Sequence, residues 1–329
     1  MAHGGTPEWD AAVVEAVVPL KSQIPTALAL GMADPATMQA ALDSLENQGV
    51  DHVAVVRLFL SGESFLHDTE YYLKLRPDAP EMPMALMMAQ MMGNGAGASH
   101  GAAGTAVAAA AAHGASAAAG SGATQAADES HGATMSHGAA MSRGMAADNA
   151  GAEITIAPLD FSAKILLEMR GLSESPIAAS IVADRTAAVS TDPARESVII
   201  VAHGMGDEGA NQRVLDNMQA SVELLEARGF KEVRAATLRE DWPEERVKAE
   251  ADIRAWVGAR AERGDRVIVV PFRLFGFGGY AEILDGIEYT PADGLLPHPL
   301  VSDWIEDSAS TMFCAEGVAN PFGSCTSAR

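Results

Sequence analysis

Apolar residues recur along this chain with two spacings, which predict alternating strands and helices. Nearly unbroken β-branched runs at 52–60, 196–202 and 266–275 are typical of parallel strands buried on both faces. Apolar residues three or four positions apart predict amphipathic helices between these runs. The two clearest helical stripes are Trp9, Val13, Val17 and Leu20, and Val214, Met218, Val222 and Leu225.

The same order of elements occurs twice. A His-Gly pair stands at 3–4 and again at 203–204. Each pair is followed by a helix, a short strand (26–31 or 233–238), a second helix and a buried strand. Short right-handed connections of this kind build a doubly wound parallel sheet. The sequence therefore predicts an α/β fold with two tandem doubly wound domains.

Three polar residues are expected to cap helices. Thr6, Asp34 and Asp241 each precede, by one or two positions, a proline suited to a first helical turn. After the first repeat, 152–171 predicts a strand followed by a helix.

The first repeat begins at its His-Gly without the β-branched run that precedes His203. We expect Met1 to be an internal position of a longer chain, with a first strand and any targeting signal before it. No signal peptide is evident ahead of MAHGG, which favours the cytoplasm, and a leader outside this sequence would favour the periplasm.

A low-complexity segment interrupts the first repeat. Residues 94–150 are mostly Ala, Gly, Ser and Thr with scattered His and Met, which predicts a disordered insertion. Metal binding by its His and Met residues is the alternative to a plain flexible insertion, which the composition favours. The expected domains are 1–192 and 193–310, followed by a flexible tail at 311–329.

Composition narrows the classes of partner. The net charge is −22, from 44 acidic and 22 basic residues, which argues against nucleic acid and anionic membranes. No apolar run is long enough for a transmembrane helix. Cys314 and Cys325 do not have zinc-site spacing; two free thiols are the favoured interpretation, and a disulfide would indicate an oxidising compartment.

Candidate chemistry lies where the strands end, because ligands of doubly wound sheets bind beyond the carboxyl ends of the strands. The first repeat offers His3 together with four polar residues of the 57–72 loop. The second offers His203 with two residues of the 271–286 loop. In chain order these loop residues are Glu63, His67, Asp68, Glu70, Tyr280 and Glu282. Imidazoles and carboxylates in facing loops suit a divalent cation or proton transfer.

These motifs, VIIVAHGMGDEGANQ, VIVVPFRLFGFGGYAEIL, AHGGTPEWDAAV and VAVVRLFLSGESFLHD, resemble the CbiX-type sirohydrochlorin cobaltochelatases. These class II chelatases have a ferrochelatase-like fold. The resemblance covers both repeats but not 94–150 or the tail. It implies insertion of a divalent metal into a tetrapyrrole without ATP or another nucleotide. The metal is a substrate, Co²⁺ first and Ni²⁺ or Fe²⁺ as alternatives.

Carried over by position, the resemblance implies metal binding by His3, His67 and His203. His3 and His67 present the cation, and Glu63 or Glu70 accepts pyrrole protons. Tyr280 stands where a partner histidine of His203 would be. An acidic protein needs a local basic patch for a polycarboxylate substrate, for which the candidates are Lys21, Arg57, Lys74 and Arg76.

Two other functions remain open. HGG at 3–5 is similar to an oxyanion-hole loop and GES at 62–64 to a nucleophile elbow, but the closing glycine of a hydrolase G-x-S-x-G is absent. A protein of the same fold that binds metal or tetrapyrrole without turnover is the stronger alternative. The sequence leaves the oligomeric state open.

Overall fold

A computed structural model describes residues 1–83 and 156–325. The predicted insertion at 94–150 lies outside the described residues. Two parallel sheets with helices packed against them confirm the predicted α/β fold. Within the described ranges, no helix combines the length and apolarity needed to cross a bilayer.

Helices and strands alternate through most of both repeats. The first contains α1 Pro7–Lys21, α2 Pro35–Glu46, β1 His52–Val55, α3 Leu66–Tyr72, β2 Lys164–Leu167 and α4 Pro176–Val189. The second contains β3 Glu196–Ala202, α5 Glu208–Ala227, β4 Glu232–Thr237, α6 Pro243–Glu262, β5 Arg266–Phe272, α7 Tyr280–Ile283, β6 Thr290–Pro291 and α8 Pro299–Glu316. Short 3₁₀ turns at Leu172–Glu174 and Pro193–Arg195 precede α4 and β3.

The helix caps follow the sequence in two of three cases. The Thr6 hydroxyl accepts the Trp9 amide at 3.4 Å, and the Asp34 carboxylate accepts the Thr37 amide at 3.0 Å. The prediction for Asp241 is wrong, because Trp242 occupies the N-cap of α6. Asp241 lies in the turn between β4 and α6, and its carboxylate contacts His203 instead.

The prediction for 152–171 is also wrong in part. The segment expected to be helical contains β2, which pairs in parallel with all four residues of β1. A short apolar run such as KILL suits a strand or a helix equally, and pairing with β1 decides between them.

The two sheets repeat the same arrangement around their first strands. In the second sheet, of order β4-β3-β5-β6, Ala202 at the end of β3 pairs with Thr237 and with Phe272. In the first repeat, Ala2 forms parallel bridges to Leu30 and to Leu58. Ala2 is therefore the structural equivalent of Ala202. The predicted strand at 26–31 is reduced to the single bridge at Leu30.

The last helix of each repeat packs against the other repeat. Helix α4 contacts α5 and β5, whereas α8 contacts α1, β1 and β2. One hydrophobic core consequently runs through both repeats and includes Val13, Ile181, Val198 and Trp304. This exchange of helices holds the two sheets together and fixes the cleft between them.

The chain end differs from the sequence prediction. Helix α8 continues past 310 to Glu316, and Phe313 is buried, so the expected flexible tail does not start at 311. Gly317, with φ +77°, then reverses the chain. The prediction of free thiols is wrong, because Cys314 and Cys325 form a disulfide.

Candidate functional site

The turn after β3 places His203 at the carboxyl edge of the second sheet. Gly204 has φ +81°, and a Cβ there would lie 2.8 Å from the Thr237 Cβ and 2.9 Å from Oδ1 of Asn211. That Asn211 oxygen accepts the Met205 amide at 3.1 Å. Glycine is therefore required after the histidine because the turn is both left-handed and crowded.

The imidazole of His203 has a defined tautomer. Its Nδ1 lies 2.9 Å from the Gly204 carbonyl oxygen, which can only accept a hydrogen bond, so Nδ1 carries the proton. Its Nε2 lies 3.2 Å from Oδ2 of Asp241. A neutral imidazole would turn a lone pair toward a carboxylate there. The contact is favourable only when a proton or a cation lies between the two atoms.

A cation fits this pair geometrically. Nitrogen and oxygen ligands bind Zn²⁺-sized cations at about 2.0–2.2 Å, so two neighbouring ligands of one ion lie about 2.8–3.6 Å apart between octahedral and tetrahedral geometry. The separation of His203 Nε2 and Asp241 Oδ2 falls within that interval. The ring of Trp242 packs edge-on against His203, with centroids 5.9 Å apart. The pair thus combines one imidazole and one carboxylate beside an aromatic wall.

His3 repeats the imidazole geometry in the first half. Its Nδ1 lies 2.8 Å from the Gly4 carbonyl oxygen, which again leaves Nε2 with the lone pair. The ring stacks on Trp9 at 5.1 Å between centroids. Burial lowers the pKa of His3; the Gly4 hydrogen bond opposes this, and the Arg273 charge lowers the pKa further. The result is a neutral imidazole able to accept a proton or bind a metal.

The two repeats face each other across these strand ends. Trp9 stacks on Phe275 of the second repeat with ring centroids 6.2 Å apart. Across the opposite side, the Glu63 carboxylate pairs with Arg213 at 3.2 Å. A cleft of about 440 Å³ lies between the 61–66 loop and α5, with Met205 in its lining. His3, whose ring stacks on Trp9, is therefore close to the later loop of the second repeat.

The remaining predicted site residues have partners of their own. His67 Nε2 lies 3.1 Å from the Asp78 carbonyl oxygen and 3.4 Å from its carboxylate. Glu70 pairs with Arg76 at 3.3 Å. Glu63 lines the cleft. The metal-binding role of His67 and the proton-accepting roles of Glu63 and Glu70 stay predictions.

Tyr280 is not placed as a metal ligand. Its side chain is fully buried, and burial raises the pKa of its phenol. The Arg273 guanidinium lies over the ring at 5.7 Å and pairs with Glu240 at 2.7 Å. Tyr280 therefore packs beneath the 271–286 loop and positions the Arg273 guanidinium.

Arg57 does not contribute to a substrate-facing basic patch. It is fully buried and donates to the Gly62 carbonyl at 2.8 Å and to the Ser64 carbonyl. Its burial lowers the pKa of the guanidinium to about 10. These hydrogen bonds hold the 61–66 loop in its conformation. Glu63 in the same loop pairs with Arg213.

Sequence reasoning missed Asp241 and Arg213. Asp241 stands before Trp-Pro, which is a helix-start signal, and that signal concealed its contact with His203. Arg213 lies on the polar face of α5, where a solvated charge is ordinary. Among residues 1–83 and 156–325, no group of three or more His, Cys, Asp or Glu is arranged to hold a metal ion. His203 and Asp241 form a contact of two residues only.

Comparison with known proteins identifies the fold. No model of a known protein family and no curated protein matches the chain. Among solved structures, SirB from Bacillus subtilis with Fe³⁺ matches with a TM-score of 0.53 and 12% identity over 96% of this chain and 95% of that one. The sirohydrochlorin chelatase SirB from Bacillus subtilis subspecies spizizenii in complex with cobalt has a TM-score of 0.49 and 12% identity, over 96% and 94%. The first match confirms the expected chelatase-like fold, and at this identity it shows the fold alone.

Proposed function

We propose that this protein is a metal chelatase that inserts a divalent cation into sirohydrochlorin or a related tetrapyrrole without a nucleotide. The fold shared with SirB supports the proposal. The observation that carries it is the His203–Asp241 pair at 3.2 Å, with Nδ1 of the imidazole tied to the Gly204 carbonyl. That arrangement leaves Nε2 and a carboxylate oxygen facing the same point.

Within this proposal, His203 and Asp241 hold the incoming cation. Two protein ligands leave the other coordination positions open to water and then to pyrrole nitrogens. Closed sites with four protein ligands would bind the cation without passing it on. An imidazole with a carboxylate suits Co²⁺, Ni²⁺ and Fe²⁺, and we propose Co²⁺ as the first cation to test.

Insertion exchanges one dication for two pyrrole protons, so the site needs proton acceptors. His3 is suited to accept one, because burial and the Arg273 charge keep its imidazole neutral. Glu63 at the cleft rim is the proposed acceptor for the second. Arg213 offers a guanidinium for a substrate carboxylate once the Glu63 contact opens.

A binding protein without turnover is the second candidate. It is favoured by Tyr280, which occupies the loop position expected for a second histidine but is buried beneath Arg273. A site with only two protein ligands would then carry a metal or a metallated tetrapyrrole.

The deciding experiment follows the absorbance of sirohydrochlorin with Co²⁺, Fe²⁺ or Ni²⁺ in turn. Wild-type protein is compared with His203→Ala, Asp241→Asn and His3→Ala. His52→Ala is the matched control, because His52 also contacts an aspartate, Asp51 at 2.9 Å, but lies at the amino end of β1.

We expect wild type and His52→Ala to accelerate metal insertion equally, and His203→Ala and Asp241→Asn to lose at least about 90% of the acceleration. A wild-type rate equal to the spontaneous rate would exclude the chelatase. Co²⁺ binding by equilibrium dialysis in the same samples, lost in His203→Ala, would then identify a binding protein.

A further inference from the structure

The turn between β4 and α6 contains a residue with a strained backbone. Arg239 has φ +59°, in the left-handed region that few residues other than glycine adopt. Its amide donates to the His203 carbonyl at 2.7 Å, and its carbonyl accepts from the Trp242 amide at 3.0 Å. The second of these bonds closes a tight turn in which Asp241 is the third residue. The conformation of Arg239 therefore sets the position of the Asp241 backbone.

The side chain of Arg239 binds the other loop of the site, the segment 203–208 after β3. One terminal nitrogen of the guanidinium donates to the Gly206 carbonyl at 2.6 Å, and the other donates to the Glu208 carboxylate at 2.9 Å. Arg239 is only 9% exposed. A planar guanidinium makes two such bonds in fixed directions. Arg239 thus joins the 203–208 loop, through its side chain, to the 239–242 turn, through its backbone.

Other contacts between these two segments leave little room for movement. The Glu240 amide also donates to the His203 carbonyl, at 3.2 Å. A Cβ on Gly206 would lie 2.0 Å from Nε1 of Trp242, so the two backbones approach closely. The separation of 3.2 Å between His203 and Asp241 is therefore maintained by groups other than the two ligand atoms.

This arrangement at Arg239 has an energetic cost. Left-handed residues other than glycine persist where the surrounding structure holds them, and they cluster at functional sites. Among the residues that the structure describes, Nε of Arg239 is buried and has no hydrogen-bond partner. Glycine at this position would relieve the strain and remove the unpartnered atom, but it would lose both bonds to the 203–208 loop.

The corresponding segment of the first repeat differs at this point. Residues 31–34, between Leu30 and α2, include no arginine. Their one carboxylate, that of Asp34, caps α2 by accepting the Thr37 amide at 3.0 Å. The two repeats thus share the strand-end histidine and differ in the groups that place a carboxylate opposite it.

We propose that Arg239 is the positioning residue of the site, which holds the His203 imidazole and the Asp241 carboxylate at the separation that a divalent cation requires. The inference rests on the proposed function, because that function makes His203 and Asp241 the cation ligands. Without the guanidinium, the 203–208 loop and the 239–242 turn move apart, and the two ligands no longer face the same point.

The test compares Arg239→Met and Arg239→Gly with the wild-type protein and with a control, Arg266→Met. Arg266 donates to the Val189 carbonyl at 2.7 Å and to the Glu196 carboxylate at 2.6 Å, so it too joins a carbonyl to a carboxylate. It begins β5, at the opposite edge of the same sheet. The glycine variant relieves the backbone strain at 239, and so separates that strain from the loss of the guanidinium.

Three properties are measured on each protein. Thermal unfolding reports stability. Without metal, NMR cross-relaxation between the rings of His203 and Trp242, which pack edge-on in the structure, reports whether the two segments stay together. Equilibrium dialysis and the visible absorption of bound Co²⁺ report the affinity and the geometry of the cation site.

We expect both Arg239 variants to bind Co²⁺ at least about tenfold more weakly than wild type and to lose the ring cross-relaxation. Arg266→Met should have a lower unfolding midpoint than wild type, with unchanged Co²⁺ affinity and cross-relaxation. Wild-type affinity in either Arg239 variant would overturn the proposal. An equal loss of affinity in Arg266→Met would also overturn it, because general destabilisation would then explain the effect.

Failure of the proposed function is distinguishable from failure of this inference. A wild-type protein that neither binds Co²⁺ nor accelerates metal insertion would exclude the function. The cross-relaxation is measured without metal and would still test Arg239. Intact cross-relaxation in both Arg239 variants would exclude it as the residue that holds the two segments together.

Discussion

Replacing Glu196 with glutamine should remove one defined part of the acid sensitivity of this fold. Glu196 begins β3 and is 1% exposed. Its carboxylate accepts hydrogen bonds from the Ser190 hydroxyl, from the Thr191 amide at 2.8 Å and from Arg266 at 2.6 Å. Arg266 is its register partner on β5. The carboxylate therefore joins two central strands to the turn after α4.

The structure sets the size of the effect. Burial alone would raise the pKa of Glu196, but the hydrogen bonds from Ser190, Thr191 and Arg266 outweigh it and lower the pKa from 4.5 to about 2. That difference corresponds to about 3 kcal/mol of unfolding free energy. Because the folded state binds this proton less readily than the unfolded state, the contribution is present above pH 4.5. It is lost as the pH falls from 4.5 toward 2.

The assay is urea unfolding followed by far-ultraviolet circular dichroism at pH 7, 5, 3 and 2. Glu196→Gln should be less stable than wild type by about 3 kcal/mol at pH 7, and the difference should shrink as the pH approaches 2. Glu226→Gln, at an exposed position of α5, is the matched control and should follow wild type. A constant difference between wild type and Glu196→Gln across this pH range would refute the reasoning.

Three further predictions concern the candidate site and its surroundings. Asp241→Asn should weaken Co²⁺ binding by at least about tenfold in equilibrium dialysis, and unchanged affinity would remove Asp241 from the site. Gly206→Ala places a Cβ 2.0 Å from Nε1 of Trp242, so it should cost about 1–3 kcal/mol of stability and shift the tryptophan fluorescence. Gly258→Ala, whose Cβ would lie 3.9 Å from Ile287, is its control. Arg213→Ala should raise KM for sirohydrochlorin with little change in kcat, and a loss confined to kcat would contradict a role in binding substrate carboxylates.

The candidate site could be predicted only in part from the sequence. His-Gly at 203–204 was found because it repeats and because a strand precedes it. Asp241 could not be found in this way, since its contact with His203 joins the loops that follow two neighbouring strands. The position of His67 after β1 predicts a metal ligand, whereas in the structure its imidazole contacts Asp78.

Local chemistry in the sequence by itself determined much of the fold. Continuous β-branched runs require strands covered on both faces, and Thr6 and Asp34 cap helices through contacts three residues away. Only the tertiary structure decided that 164–167 is a strand, that α4 and α8 pack on opposite repeats, and that Cys325 meets Cys314. Hydrophobic periodicity indicates that one face of a helix or strand is buried, but not which other element packs against it. That choice depends on packing between segments distant in the chain.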